Sequence, residues 1–95
     1  MEIESIRHKA LRRFFLTGQS RGLDGNLVER LRKMLSYINS VSSFDELVIP
    51  PNYGLHPLTG NRAGSWSMTV TKNWRMTFAK IDDETIADLD LEDYH

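Results

Sequence analysis

The sequence predicts an α+β domain: two N-terminal helices packed on a mostly antiparallel sheet that ends in a three-stranded C-terminal meander. Three observations carry this expectation. Apolar residues recur twice at helical spacing in the first forty positions, the period falls to two after Ser65, and turn-forming clusters separate the segments.

The opening "MEIESI" reads as a short strand with Met1 and Ile3 on one face. Ser5 is the expected N-cap of the first helix, in which Ile6, Ala10 and Phe14 with Leu11 and Phe15 form an apolar stripe that stops at Gly18. "GQSRGLDG" is rich in turn residues. Asn26 then reads as the N-cap of a second helix, where Leu27, Leu31, Met34, Leu35 and Ile38 recur until Asn39-Ser40. Pro50-Pro51, Gly54, Pro57 and Gly60 make the next stretch loop or strand edge. Trp66, Met68 and Val70 alternate with Ser65, Ser67 and Thr69, and "TKN" turns the chain. Trp74, Met76 and Phe78 then alternate with Arg75, Thr77 and Ala79, and "DDET" turns it again. Ala87, Leu89 and Leu91 finally alternate with Asp88, Asp90 and Glu92.

Ninety-five residues suit one domain, 1–95, near the lower end of what folds alone on a single core. There is no cysteine, so a reducing compartment fits and disulfides are excluded. No signal-peptide h-region or membrane-length apolar run is visible, so a soluble cytoplasmic domain away from membranes is expected. The net charge of −1 conceals an asymmetry: all twelve Lys and Arg lie at or before Lys80, whereas seven of the thirteen acids fall between Asp82 and Asp93. A basic body of this kind can bind nucleic acid, although a merely solvated surface gives the same composition. The helix faces holding Arg12, Arg13, Arg30, Arg32 and Lys33 are the candidate surface for nucleic-acid phosphates.

Chemistry-bearing side chains cluster in three places. "LHPLTGNR" supplies His56 and Arg62, "KNWR" supplies Lys72, Asn73 and Arg75, and "LEDYH" supplies Asp93, Tyr94 and His95. Arg75 alternates away from Trp74 and Met76, so it leaves the apolar strand face. Two guanidinium groups and a lysine favour a phosphate, whose oxygens match the planar fork of arginine. Histidines with an Asp and a Tyr can carry protons near neutral pH. The plainer alternatives are a loop histidine at position 56, a cross-strand pair of Arg75 with Asp88 or Asp90, and a Tyr94 that only packs the rim. No metal is called for, since neither HxH nor HExxH spacing occurs.

The runs "LHPLTGNRAGSWSMTVTKNWRMTF" and "LEDYH", with the opening "SIRHKALRRFFLTG", resemble the HigB-like toxins (plasmid-maintenance killer proteins) of the RelE superfamily over nearly the whole chain. The resemblance implies a RelE-like fold and a metal-independent endoribonuclease without cofactor that cuts messenger RNA in the ribosomal A site. It further implies a ribosome contact with 16S rRNA and neutralisation by a HigA-type helix-turn-helix antitoxin, with operator DNA reached only through that antitoxin. The RNA 2′-hydroxyl would attack the adjacent phosphate. Carried onto this chain, the catalytic positions are His56, Arg75, Asp93, Tyr94 and His95, while Arg62, Lys72 and Asn73 are the RNA contacts. Arg75 would hold transition-state charge, His56 and His95 would share the acid and base roles, Asp93 would orient or assist, and Tyr94 would position the nucleotide or the proton path. One position departs: many members carry Lys where "LTG" has Thr59. The competing function is a catalytically weak or silent RNA- or ribosome-binding module of the same fold.

Overall fold

A computed structural model describes residues 1–94. Among them five strands form one sheet and two α-helices lie on one side of it. In chain order the elements are β1 (Glu2–Ile3), α1 (Lys9–Thr17), α2 (Val28–Ser40), β2 (His56–Pro57), β3 (Ser65–Thr69), β4 (Trp74–Asp82) and β5 (Thr85–Asp93), with short 3-10 turns at Gly25–Leu27, Phe44–Val48, Pro51–Tyr53 and Gly60–Arg62. The strand order is β1-β5-β4-β3-β2, antiparallel throughout except for the parallel pair β1–β5.

The meander forms because one face of each strand is apolar. Met68, Met76 and Leu91 stand opposite one another across β3, β4 and β5, and Trp66 stands opposite Phe78. These residues join Leu11, Phe14, Leu31, Met34, Leu35 and Ile38 of the helices in one core, in which Leu11, Leu31, Met34, Ile38, Met68 and Met76 are wholly buried. Each such side chain contributes roughly 1.5–3 kcal/mol when removed from water. Phe44 closes the core edgewise against Trp66, ring centroids 5.0 Å apart, with the Lys80 ammonium 4.6 Å from the Phe44 ring centroid.

The helices begin later than the sequence predicts. Ser5 does not cap α1: His8 does, its Nδ1 accepting from the Leu11 amide at 3.1 Å, and α1 is a short helix of nine residues. Ile6 is held in a parallel bridge to Leu89 instead of in the helical stripe. Likewise Asn26 sits inside a 3-10 turn capped by Asp24, and α2 starts at Val28. For α1 the physical reason lies in the sheet. The chain continues β1 alongside β5 through the Glu4–Ile86 and Arg7–Leu89 bonds, and these ladder contacts outcompete an earlier helix start.

The alternation of β5 also differs from expectation. Asp88 takes φ 54°, and the register of β4 with β5 shifts between Thr77 and Ala79. This bulge puts Ala87 opposite Ala79 while Ile86, Leu89 and Leu91 face the core. Ser5 serves the bulge rather than a helix: its hydroxyl accepts from the Asp88 amide at 2.9 Å and donates to the Asp88 carboxylate at 3.4 Å. No helix among the described residues is long and apolar enough to cross a membrane.

Candidate active site

The second face of the sheet is polar. Strand pairing sets His56 beside Ser67, Ser67 beside Thr77 and Thr77 beside Asp90, and one step along it sets Thr69 beside Arg75 and Arg75 beside Glu92. Cross-strand partners share a face, so these side chains lie opposite the helices. Ser67 and Thr77 are only 1% and 3% exposed. Two hydroxyls so deeply buried on a sheet face require a cover, and the segment carrying Arg62 supplies part of it.

That segment is the Gly60–Arg62 turn between β2 and β3. From it Arg62 reaches Glu92 of β5 as a two-pronged ion pair, Nη1 to Oε1 at 2.9 Å and Nη2 to Oε2 at 2.6 Å. Arg75 of β4 donates from Nη2 to the same Oε1 at 3.2 Å, and the Thr77 hydroxyl donates to Oε2 at 2.6 Å. Glu92 thus collects two guanidinium groups and a buried hydroxyl. The Arg62 hydrogen bond is the main force that lowers its carboxyl to about 2, with Thr77 and Arg75 adding to it against the opposing effect of burial. The pairing raises Arg62 in return. Arg75 is further held by Tyr94, whose ring centroid lies 5.0 Å from the guanidinium carbon. Its Nε is closed off from solvent with no hydrogen-bond partner among the described residues.

The expected site residues divide accordingly. Arg62, Arg75 and Tyr94 are together. His56 shares their face at the far edge of the sheet, exposed, its Nδ1 2.8 Å from the Gly54 carbonyl. Two strand spacings separate its backbone from that of Thr77, about 10 Å. Asp93 is the register partner of Trp74, which packs against the core, so alternation sets it on the face opposite Glu92. Lys72 is exposed in the β3–β4 turn, and the Asn73 carbonyl accepts from the Tyr94 amide at 3.0 Å. His95 lies outside the described residues. The plainer alternative for Arg75, a pair with Asp88 or Asp90, is not what forms; Glu92 takes that place. Neither Glu92 nor Thr77 was singled out from sequence. The available signal was Leu91 alternating with Glu92, which puts Glu92 beside Arg75 once Leu91 is paired with Met76.

The basic helix face is divided too. Arg12, Arg13 and Lys33 are exposed. Arg30 is spent internally, donating from Nε to the Val70 carbonyl at 3.0 Å and stacking 5.3 Å from the Tyr53 ring centroid. Arg32 pairs with Glu29 at 3.1 Å and covers the Phe14 ring. Among the described residues no three His, Asp or Glu side chains stand together as ligands for a metal ion.

Residues 4–95 match the family described as the RelE-like toxin HigB of type II toxin–antitoxin systems. The chain is 40% identical over 93 residues to the endoribonuclease HigB of Proteus vulgaris, covering 98% of this chain and 99% of that protein. Among solved structures it is similar to a YafQ variant from E. coli, with a TM-score of 0.64 at 21% identity over 97% of this chain and 91% of the other. It is also similar to a YoeB/ParE toxin from Agrobacterium tumefaciens, with a TM-score of 0.55 at 17% identity over 100% and 99% of the two chains. The two structural likenesses bear on the fold alone.

Proposed function

The chain belongs to the HigB-like family of RelE-like toxins of type II toxin–antitoxin systems, and from that premise we propose that it is an endoribonuclease that cuts messenger RNA in the ribosomal A site. The observation that carries this is the gathering of Arg62 and Arg75 on one carboxylate, with Tyr94 against Arg75, on the sheet face turned away from the core. Two arginines converging on one anion form the geometry that a phosphodiester requires.

In the proposed reaction a base removes the proton of the RNA 2′-hydroxyl. The 2′-oxygen bonds to the adjacent phosphorus, charge builds on the non-bridging oxygens, and the P–O5′ bond breaks as an acid protonates the leaving oxygen. The products are a 2′,3′-cyclic phosphate and a 5′-hydroxyl end. Arg75 neutralises the developing charge, with Arg62 beside it. His56 and His95 share the proton transfers, Asp93 assists, and Tyr94 orients the nucleotide on the guanidinium plane. Lys72 and Asn73, in the turn that ends at β4, extend the contact along the RNA backbone. The exposed Arg12, Arg13 and Lys33 dock on ribosomal RNA in the cytoplasm, and a HigA-type antitoxin neutralises the toxin. In a short messenger RNA held on the ribosome, cleavage that leaves the cyclic phosphate at the A-site codon supports the assignment; intact RNA counts against it.

A second reading is favoured by one observation: Glu92 cancels one of the two arginine charges, and Thr59, exposed at the head of the Gly60–Arg62 turn, adds none. The same fold would then bind RNA and the ribosome with little cleavage.

A further inference from the structure

We propose that Glu92 is a positioning residue, whose carboxylate fixes Arg62 and Arg75 side by side as a preorganised pair for the RNA phosphate. The inference rests on the proposed ribonuclease reading and adds to it a residue that acts through the two arginines.

Four hydrogen bonds from three side chains end on this one carboxylate. A surface acid that merely balanced charge would be loosely held, and an exposed ion pair contributes little. Here the carboxylate is tied to the sheet from beneath by Thr77, which is almost wholly buried, and it is itself more covered than Arg62. Arg62 is the more exposed of the two arginines, 41% against 21% for Arg75. It projects from an exposed turn bracketed by Gly60 and Gly64, both at positive φ, and both hydrogen bonds of its guanidinium end on Glu92.

The geometry leaves donors to spare. Arginine carries five N–H donors in a rigid fork, and Arg75 gives Glu92 only its Nη2. Two cations and one anion leave one net positive charge beside the incoming phosphodiester, which itself carries one negative charge. Glu92 is also a poor candidate for the base, because a carboxyl lowered to about 2 has little affinity for a proton at neutral pH. Its contribution is to hold donors where charge will develop, so that the arginines need not be ordered during the reaction.

The test uses Glu92→Gln, Arg75→Ala, their double variant and Glu92→Asp in the full chain. In the free proteins, side-chain ¹⁵N relaxation of the Arg62 and Arg75 Nε–H groups reports their order. On ribosomes, single-turnover cleavage of messenger RNA at saturating and limiting protein separates rate from binding. Glu92→Gln should free Arg62, taking its order parameter below about 0.6, and slow the saturated cleavage rate about 10²-fold with little change in half-saturation. Glu92→Asp, which keeps the charge, should restore part of both. In the Arg75→Ala background the same Gln substitution should cost less, since the part of its effect that runs through Arg75 is already lost. The proposal is overturned if the arginines stay ordered in Glu92→Gln and Glu92→Asp. It is equally overturned if Glu92→Gln cleaves as well as or better than the parent, meaning the carboxylate competes with the phosphate, or if its cost is undiminished without Arg75. Should the parent itself leave ribosomal messenger RNA intact, the ribonuclease assignment falls while the relaxation data still decide whether Glu92 orders the pair.

Discussion

Arg75 and Glu92 are register partners on neighbouring strands, and their side chains meet across the sheet at 3.2 Å. An opposite-charge pair across two strands ordinarily stabilises a sheet by a fraction of a kcal/mol. This one also receives Arg62 from a distant turn, so it sets the geometry of the polar face as well as its stability.

Replacing Arg75 with Ala should leave the fold intact and lower messenger RNA cleavage by about 10²–10³-fold, the usual cost of losing one preorganised partner of a developing oxyanion. Thermal melts and single-turnover cleavage measure the two separately. A folded variant that cleaves and arrests growth as the parent does removes Arg75 from the chemistry.

His95→Ala should melt with the parent and lose about 10²–10⁴-fold in cleavage, the range of a general acid or base. His56→Ala is the comparison. If each substitution removes a different limb of the pH–rate profile, the two histidines divide the acid and base roles; equal cleavage by His95→Ala and the parent would transfer the burden to His56, Asp93 or Tyr94.

Stability at low pH should carry the signature of Glu92. Its carboxyl falls from the ordinary 4.5 to about 2 in the folded protein, chiefly through the Arg62 hydrogen bond. A carboxylate lowered by folding contributes stability that is complete above its unfolded value and disappears as pH drops through its folded value. The parent should therefore lose stability between about pH 4.5 and 2 more steeply than Glu92→Gln, with the difference between their denaturation midpoints shrinking across that window. Parallel curves would mean that the ion pair does not persist in solution.

The β5 bulge predicts a residue preference at position 88. Asp88 holds φ 54°, which Gly adopts freely and β-branched residues avoid. Asp88→Val should destabilise the protein by roughly 1–2 kcal/mol, whereas Asp88→Gly should cost less. Equilibrium denaturation reads both, and an equally stable Val variant would argue against the bulge.

Charge reversal at Arg12, Arg13 and Lys33 should weaken co-sedimentation with ribosomes and reduce its dependence on salt. Arg30→Glu should instead lower the melting temperature, because it strips the Val70 carbonyl of its donor. Binding that is unchanged by the reversals, and equally strong at low and high salt, would leave this face merely solvated.

The meander and the longer helix α2 were legible in the sequence because their periods are set by burial on one face: Met68, Met76 and Leu91 align by their alternation alone, whereas α1 is shorter than its apolar stripe predicts. What was not legible depends on pairing between distant segments. Ser5 resembles a helix cap by type, yet it serves a bulge 83 residues away, and the parallel pairing of β1 with β5 leaves no local mark. The site followed the same division. Arg75 and Arg62 stand out by residue type, whereas Glu92 is one of seven acids between Asp82 and Asp93, and only the register of β4 with β5 distinguishes it from Asp90 and Asp93. A shift of one residue would exchange Glu92 for a residue of the other face.

Primer extension on a messenger RNA in a purified translation reaction tests the central claim most directly, run with the parent protein, with Arg75→Ala, and with ribosomes omitted. The account predicts new 5′ ends at the A-site codon with the parent alone, their loss with Arg75→Ala, and no cleavage of the same RNA without ribosomes. Intact messenger RNA in the presence of a folded parent protein that binds the ribosome would contradict it.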